Sequence, residues 1–298
     1  MAKQFMTDNE ENIIPDETLK ARTVEDWIPL LPRGFNKLQD QLDDMARWYL
    51  LQHPDFVTTA QSKDPAIKDK TLEDAKEELL SYPWVAAIAA HEVAHFLYTQ
   101  NTNSSRIEAR RIAEAAKSRS GIDIHPGTQI GENCFIDHGT ADVIGETATI
   151  GNNTLIYHNV TLGAYKSTKP ENRHPKIGDN CTISTGTNIL GSVKVGNGVR
   201  IGPNAVICGD DVVIGDKVKI KTRARIMEGN KIADKVTIGE GAVVPENMGI
   251  IDFDVPADSI VIKDGDKLKT ASLAEHDNLL KSFFNSLENL AKKAGFSL

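Results

Sequence analysis

The sequence predicts an α+β protein in which an N-terminal helical part leads into a parallel β-helix of hexapeptide rungs. Two observations carry this. Glycine divides the chain: of 22 glycines only Gly34 lies in residues 1–120, whereas 18 lie between Gly121 and Gly241. From Ile124 onward a branched apolar residue, often followed by glycine, returns every six positions. Domains are therefore expected over residues 1–120 (helical), 121–250 (β-helix) and 251–298 (a tail with one amphipathic helix).

Each element has its own signal. Leu38, Leu42, Met45 and Tyr49 fall on one helix stripe. Thr71 with Asp74 resembles a capping box ahead of Leu72, Ala75 and Leu79. The stretch Trp84–Tyr98 is apolar on most sides and should be a buried helix, and Arg106–Arg119 a polar one leading into the repeats. The rungs then run through Ile124, Ile130 and Ile136, slip by two residues, and resume at Ile144, Ile150, Ile156 and Leu162. They continue from Ile177 to Ile207, slip once more, and reach Ile238. Six residues are too few for a helical repeat and suit one short strand plus a turn, with Gly, Asn or Asp at the strained turn position. No coil buries its own inner face alone, so the coils must stack. Tyr165–Pro175 is polar with two prolines and should project as a loop, the usual place for a binding insertion. Beyond Val244 the pattern fades, until Leu279, Leu280, Phe283, Phe284, Leu287 and Leu290 mark an amphipathic helix packing on the body or on a neighbouring subunit.

Composition narrows the function. The 298 residues are 40% hydrophobic and carry a net charge of −8, which argues for a folded core and against nucleic-acid binding. No apolar run approaches a membrane span, and the acidic start does not read as a signal peptide. Cys134, Cys181 and Cys208 are widely spaced and form no CxxC pair, as expected of reduced thiols in a cytoplasmic protein. Lys217, Lys219, Lys221, Arg223 and Arg225 alternate with Val218, Ile220, Thr222, Ala224 and Ile226 and should place five cations on one outward face, either a local basic patch or a solvated surface.

The polar residues that interrupt the repeat are the candidates for chemistry. Asp123 (in GIDIHP) and His138 (in IDHGTADVIGET) lie a little less than one coil apart, so stacking could bring carboxylate to imidazole. Such a pair takes a proton from a hydroxyl, although on a turn it can equally be a local hydrogen bond. Arg173 offers a fork for a carboxylate and Asp137 a partner for an ammonium, together describing a site for a hydroxyl-bearing amino acid.

These motifs, with VTLGAYK, NRHPKIGDN and NILGSVKVGNGVRIGPNAVI, resemble the serine O-acetyltransferase family of hexapeptide-repeat acyltransferases, over about half the chain. The resemblance implies a left-handed β-helix and acetyl transfer from acetyl-CoA to the hydroxyl of L-serine, the first step of cysteine synthesis, by direct attack with a histidine general base. It implies no tightly bound cofactor and no metal, with acetyl-CoA as co-substrate. By position, His138 matches the base and Asp123 its carboxylate. Asp137, Arg173, His174, Glu146 and Asp64 (in KDPA) match residues that hold the amino acid. Gly163, Ala164, Thr185, Gly186, Gly191, Arg200 and Pro203 match a CoA groove between neighbouring β-helices. A homotrimer or a pair of trimers, L-cysteine as feedback inhibitor, and no nucleic-acid or membrane partner are also implied. Many family tails end in an isoleucine that docks on cysteine synthase, which makes that enzyme a partner the resemblance implies, whereas this chain ends in Leu298 after a different segment.

Three features depart from that pattern. His91-Glu92-Val93-Ala94-His95 has the HExxH spacing of zinc proteases, though its bland reading is two packed or capped histidines. His158 occupies the rung position of His138 one coil later, where family members carry glutamine, and either couples to His138 or faces the subunit groove. Stacked histidines on this fold also resemble the γ-class carbonic anhydrases, whose clear histidine triad is lacking here. An acyltransferase acting on a sugar or another amino-acid hydroxyl is a further alternative, and a sugar would leave Arg173 and Asp137 without partners.

Overall fold

The computed structural model describes residues 16–31, 35–166 and 170–274. Among them seven α-helices precede the strands: α1 (Asp16–Lys20), α2 (Phe35–Asp40), α3 (Leu42–Gln52), α4 (Pro54–Lys63), α5 (Leu72–Leu80), α6 (Pro83–Thr99) and α7 (Asn103–Ser120). The expected stripe spans α2 and α3, and Leu38, Leu42, Met45 and Tyr49 are all buried. Thr71 caps α5, its hydroxyl accepting the Asp74 N–H at 3.2 Å. Pro83 opens α6 where no N–H is needed, and that helix is buried from Trp84 through Ala94 on all but one residue, Glu92. Trp84 packs on Phe135 with ring centroids 4.5 Å apart, which ties the helices to the first coil. Helix α7 ends on Gly121 in the left-handed conformation (φ 73°), and two residues later the first strand begins.

The rungs form three parallel sheets, visited in turn by the chain, of nine, seven and six strands once a terminal antiparallel hairpin is counted on the first. On the first face the inward residues Ile124, Ile144, Leu162, Ile189, Ile207, Ile226 and Val244 stack in register. This ladder is the core expected from the six-residue period, and each member is 5% exposed or less. At the corner between second and third faces, side-chain oxygens replace lost backbone acceptors: Asn152 receives the Glu132 N–H, Asp179 that of Asn152, and Asn197 that of Asp179. Turn asparagines at positive φ, such as Asn133, Asn153 and Asn180, meet the strain that the sequence pattern anticipates.

The slips are corner bulges. Between Ile136 and Ile144 the extra residues are absorbed where the third face turns into the first, with His138, Gly139 and Ala141 at φ of 63°, 61° and 68°. The second slip falls at Gly209, φ 143°.

Two features differ from expectation. Past Val244 the chain adds a further rung at Gly249–Ile251, then Ser259–Asp264 and Lys267–Ser272 pair as an antiparallel hairpin on the first sheet. Val255 and Val261 are buried there, so the hairpin covers the last coil, whose inner face would otherwise meet water. The amphipathic helix expected over Leu279–Leu290 lies outside the described residues. Second, the five cations do not share a face. Lys219 sits on the third sheet and Arg225 on the first, while Lys221 and Arg223 occupy the corner between them. All five are exposed, and Arg223 pairs with Glu240 at 3.0 Å. A period-2 pattern places residues on one face only while the strand continues, and these strands are two residues long. No helix among the described residues is long and apolar enough to cross a membrane.

Candidate active site

The sequence candidates gather at two corners of the prism. At the corner joining the first face to the second, Thr147 organises the end of the inserted loop. Its hydroxyl oxygen accepts the N–H groups of Arg173 and His174, each at 3.2 Å. Its own N–H donates to His174 Nδ1 at 3.1 Å, so the proton of a neutral His174 resides on Nε2. His174 is 6% exposed, and burial, reinforced by the Arg173 guanidinium, pushes its pKa down to about 4. The ring therefore stays uncharged at neutral pH and offers one N–H. It lies so tightly over Gly145 that any Cβ there would overlap it. Gly145→Ala is expected to displace His174 and to lower stability by about 1–3 kcal/mol, readable by thermal unfolding.

Glu146 bridges the helical unit and the loop. It accepts the Tyr98 hydroxyl at 2.6 Å and Arg173 Nη2 at 3.0 Å. The Tyr98 bond is the main cause holding this carboxyl below its ordinary pKa, with the Arg173 charge assisting against partial burial. His125 packs edge-on against Tyr98, centroids 5.5 Å apart, and its Nδ1 accepts the Gly127 N–H at 2.9 Å. Among the described residues Arg173 Nε is buried without a partner, so the guanidinium keeps a donor in reserve. Tyr98, Thr147 and His125 were not singled out as site residues by the sequence; Tyr98 reads as one more apolar-face residue of α6, and only its spacing from the GET segment in three dimensions reveals it.

The corner joining the third face to the first carries His138. The bulge turns it outward, its side chain 73% exposed, with Asp137 Oδ1 3.7 Å from Nε2. His158 stacks one coil away, ring centroids 5.8 Å apart at 72°, with Nδ1 buried and unpartnered. Behind them Asp142 is fully buried, one oxygen accepting the Val160 N–H at 2.7 Å and the other unpaired. Burial pushes its pKa up to about 7.

The structure does not join Asp123 to His138. Lys117, in the last turn of α7, takes the Asp123 carboxylate at 2.6 Å, and an ammonium is a stronger partner than an uncharged imidazole. Asp64 lies apart from both corners, as C-cap of α4, with its Oδ1 accepting the Ala66 N–H at 2.8 Å. Neighbouring Lys63 reaches the Asn153 carbonyl at 3.1 Å, on the third corner. The residues matched to CoA also divide. Gly163, Ala164 and Gly191 border the loop corner, Gly191 donating to the Gly163 carbonyl at 2.9 Å. Thr185, Gly186 and Pro203 lie on the His138 corner, where Gly186 (φ 70°) donates to the His158 carbonyl at 3.2 Å. Arg200 is exposed on the third face beside Lys219.

The HEVAH segment lies within α6. His95 Nδ1 donates to the Pro126 carbonyl at 2.8 Å, and Glu92 meets His53 Nε2 at 3.2 Å. Among the described residues no three His, Cys, Asp or Glu side chains are grouped as a metal ion needs.

A stack of hexapeptide rungs with its polar residues at the corners is the architecture of a hexapeptide-repeat transferase, and residues 174–209 match the bacterial transferase hexapeptide (six repeats) family. Over 151 residues, 51% of this chain and 62% of the relative, the sequence is 42% identical to a serine acetyltransferase of Mycobacterium tuberculosis. A serine acetyltransferase of Staphylococcus epidermidis is 43% identical over 153 residues, covering 51% of this chain and 68% of the relative. Among solved structures, soybean serine acetyltransferase complexed with serine aligns at TM-score 0.46 and 27% identity, covering 78% of this chain and 82% of that one. The chain belongs to the serine acetyltransferase family.

Proposed function

We propose that the protein transfers acetyl from acetyl-CoA to the hydroxyl of L-serine, forming O-acetyl-L-serine and CoA for cysteine synthesis in the cytoplasm. The observation that carries this reading is the loop corner, where Glu146 holds the Arg173 guanidinium and Thr147 fixes the Arg173 backbone and the neutral His174 ring beside it. Two such donors suit an amino acid's carboxylate, and Asp137 on the other corner suits its ammonium. His138 removes the serine hydroxyl proton as the oxygen attacks the thioester carbonyl. The tetrahedral intermediate then expels CoA as thiolate, which takes the proton back from the imidazolium. Acetyl-CoA is a co-substrate in this scheme, and no step uses a metal or an acyl-enzyme.

His138 and Arg173 stand on different corners of one prism, so a complete site needs the loop corner of one copy against the His138 corner of the next. The divided CoA candidates fit the same groove between neighbours, which supports a trimer or a pair of trimers. Asp123 would serve His138 only by leaving Lys117. L-cysteine, with the same carboxylate and ammonium as serine, is the expected inhibitor. Docking of the tail at Leu298 on cysteine synthase belongs to the family resemblance alone.

The test is CoA release from acetyl-CoA with L-serine, against homoserine, threonine and a galactoside. Release with serine alone supports the reading, and release only with a galactoside would move the acceptor to sugars. Tyr98→Phe removes one of the two bonds that hold Glu146 on Arg173. It should raise KM for serine roughly three- to tenfold while leaving KM for acetyl-CoA unchanged.

A further inference from the structure

A cleft of about 280 Å³ opens between the helical unit and the first coil, on the faces of α3 and α6. It is near the lower end of the size range for small-molecule sites, roughly 300–1,000 Å³. Two carboxylates, Glu92 and Glu132, line it, and no lysine or arginine does. The Glu132 carboxylate makes no ion pair or side-chain hydrogen bond among the described residues. Glu92 presents one oxygen to His53 and keeps the other free.

Three imidazoles, those of His53, His91 and His95, also line the cleft. His95 commits its Nδ1–H to the Pro126 carbonyl, so Nε2 of the neutral ring carries a lone pair. His91 lines the cleft, is 7% exposed, and its Nδ1 has no partner. Burial pushes the His91 pKa down to about 3, so this ring brings no positive charge. The Tyr49 ring, Ile88 and Ile130 give apolar wall, and Gln129 adds an amide.

We infer that this cleft binds a small organic ammonium ion with a short apolar body and no carboxylate. The ammonium supplies the donors that Glu92, Glu132 and the His95 lone pair call for, while the hydrocarbon lies on Tyr49, Ile88 and Ile130. An amino acid is disfavoured, because its carboxylate would face two glutamates with no lysine or arginine on the lining. The site is therefore distinct from the one that Arg173 defines, and it does not rest on the acetyl-transfer reading.

Calorimetric titration of the full-length protein with n-butylammonium chloride tests this, with n-butanol, 4-aminobutyrate and zinc chloride as comparison ligands. Butylammonium should bind at least about tenfold tighter than butanol or 4-aminobutyrate, the size of one hydrogen bond to a charged group. Glu132→Gln, at an exposed position, and Glu92→Gln should each weaken binding by about the same factor, and Tyr98→Phe, outside the cleft, should not. Equal affinity for butanol, equal affinity for 4-aminobutyrate, or indifference to both glutamine variants would each overturn the proposal. So would stoichiometric zinc binding that displaces the amine, since the cleft would then be a metal site.

Discussion

His138→Ala is expected to lower kcat for acetyl transfer to serine by about 10²–10⁴-fold, the usual contribution of a general base. The thermal midpoint should hardly move, because the His138 side chain is 73% exposed and makes no hydrogen bond in the single chain. Its left-handed φ of 63° suits alanine no better than histidine, so backbone strain is not relieved by the change. KM for serine should change little if Arg173, His174 and Asp137 do the binding. Steady-state kinetics beside a melting curve make the check. A variant that keeps kcat within fivefold would remove His138 from the mechanism and leave His158, its neighbour on the next coil, as the histidine to examine.

Asp142→Asn is expected to remove most of a stability loss that the wild type suffers as pH rises. The folded-state pKa of Asp142 is about 7 against an ordinary 3.8. Below the ordinary value both folded and unfolded chains hold the proton and nothing is lost. Between there and about 7 the unfolded chain releases it while the folded one keeps it, so stability falls with rising pH. Above the folded value the loss levels off at about 4 kcal/mol, an order-of-magnitude ceiling. Asparagine keeps an oxygen for the Val160 N–H and never ionises. The gap in thermal midpoint between variant and wild type should therefore be several degrees larger at pH 8 than at pH 4. A gap independent of pH would show that the buried carboxyl does not titrate as described.

The architecture was legible because a six-residue period reports directly on burial: each coil repeats one inward position per face, and a misplaced rung would expose it. The slip after Ile136 was legible too, and it proved to be the bulge that turns His138 outward. The hairpin at Ser259–Ser272 had no such signal, since covering an open end requires no period.

The sequence by itself determined which residues face the core, where the coils break, and which polar side chains stand at the breaks. Those follow from local periodicity and turn chemistry, which act over a few residues. Only the tertiary structure decided the partners. It gave Asp123 to Lys117, set Tyr98 against Glu146, wrapped the five cations around a corner, and placed His138 and Arg173 on separate corners. Charge pairing and hydrogen bonding depend on a few ångströms between atoms far apart in the chain. Such distances are fixed by how coils and helices stack, and a repeat pattern does not contain them.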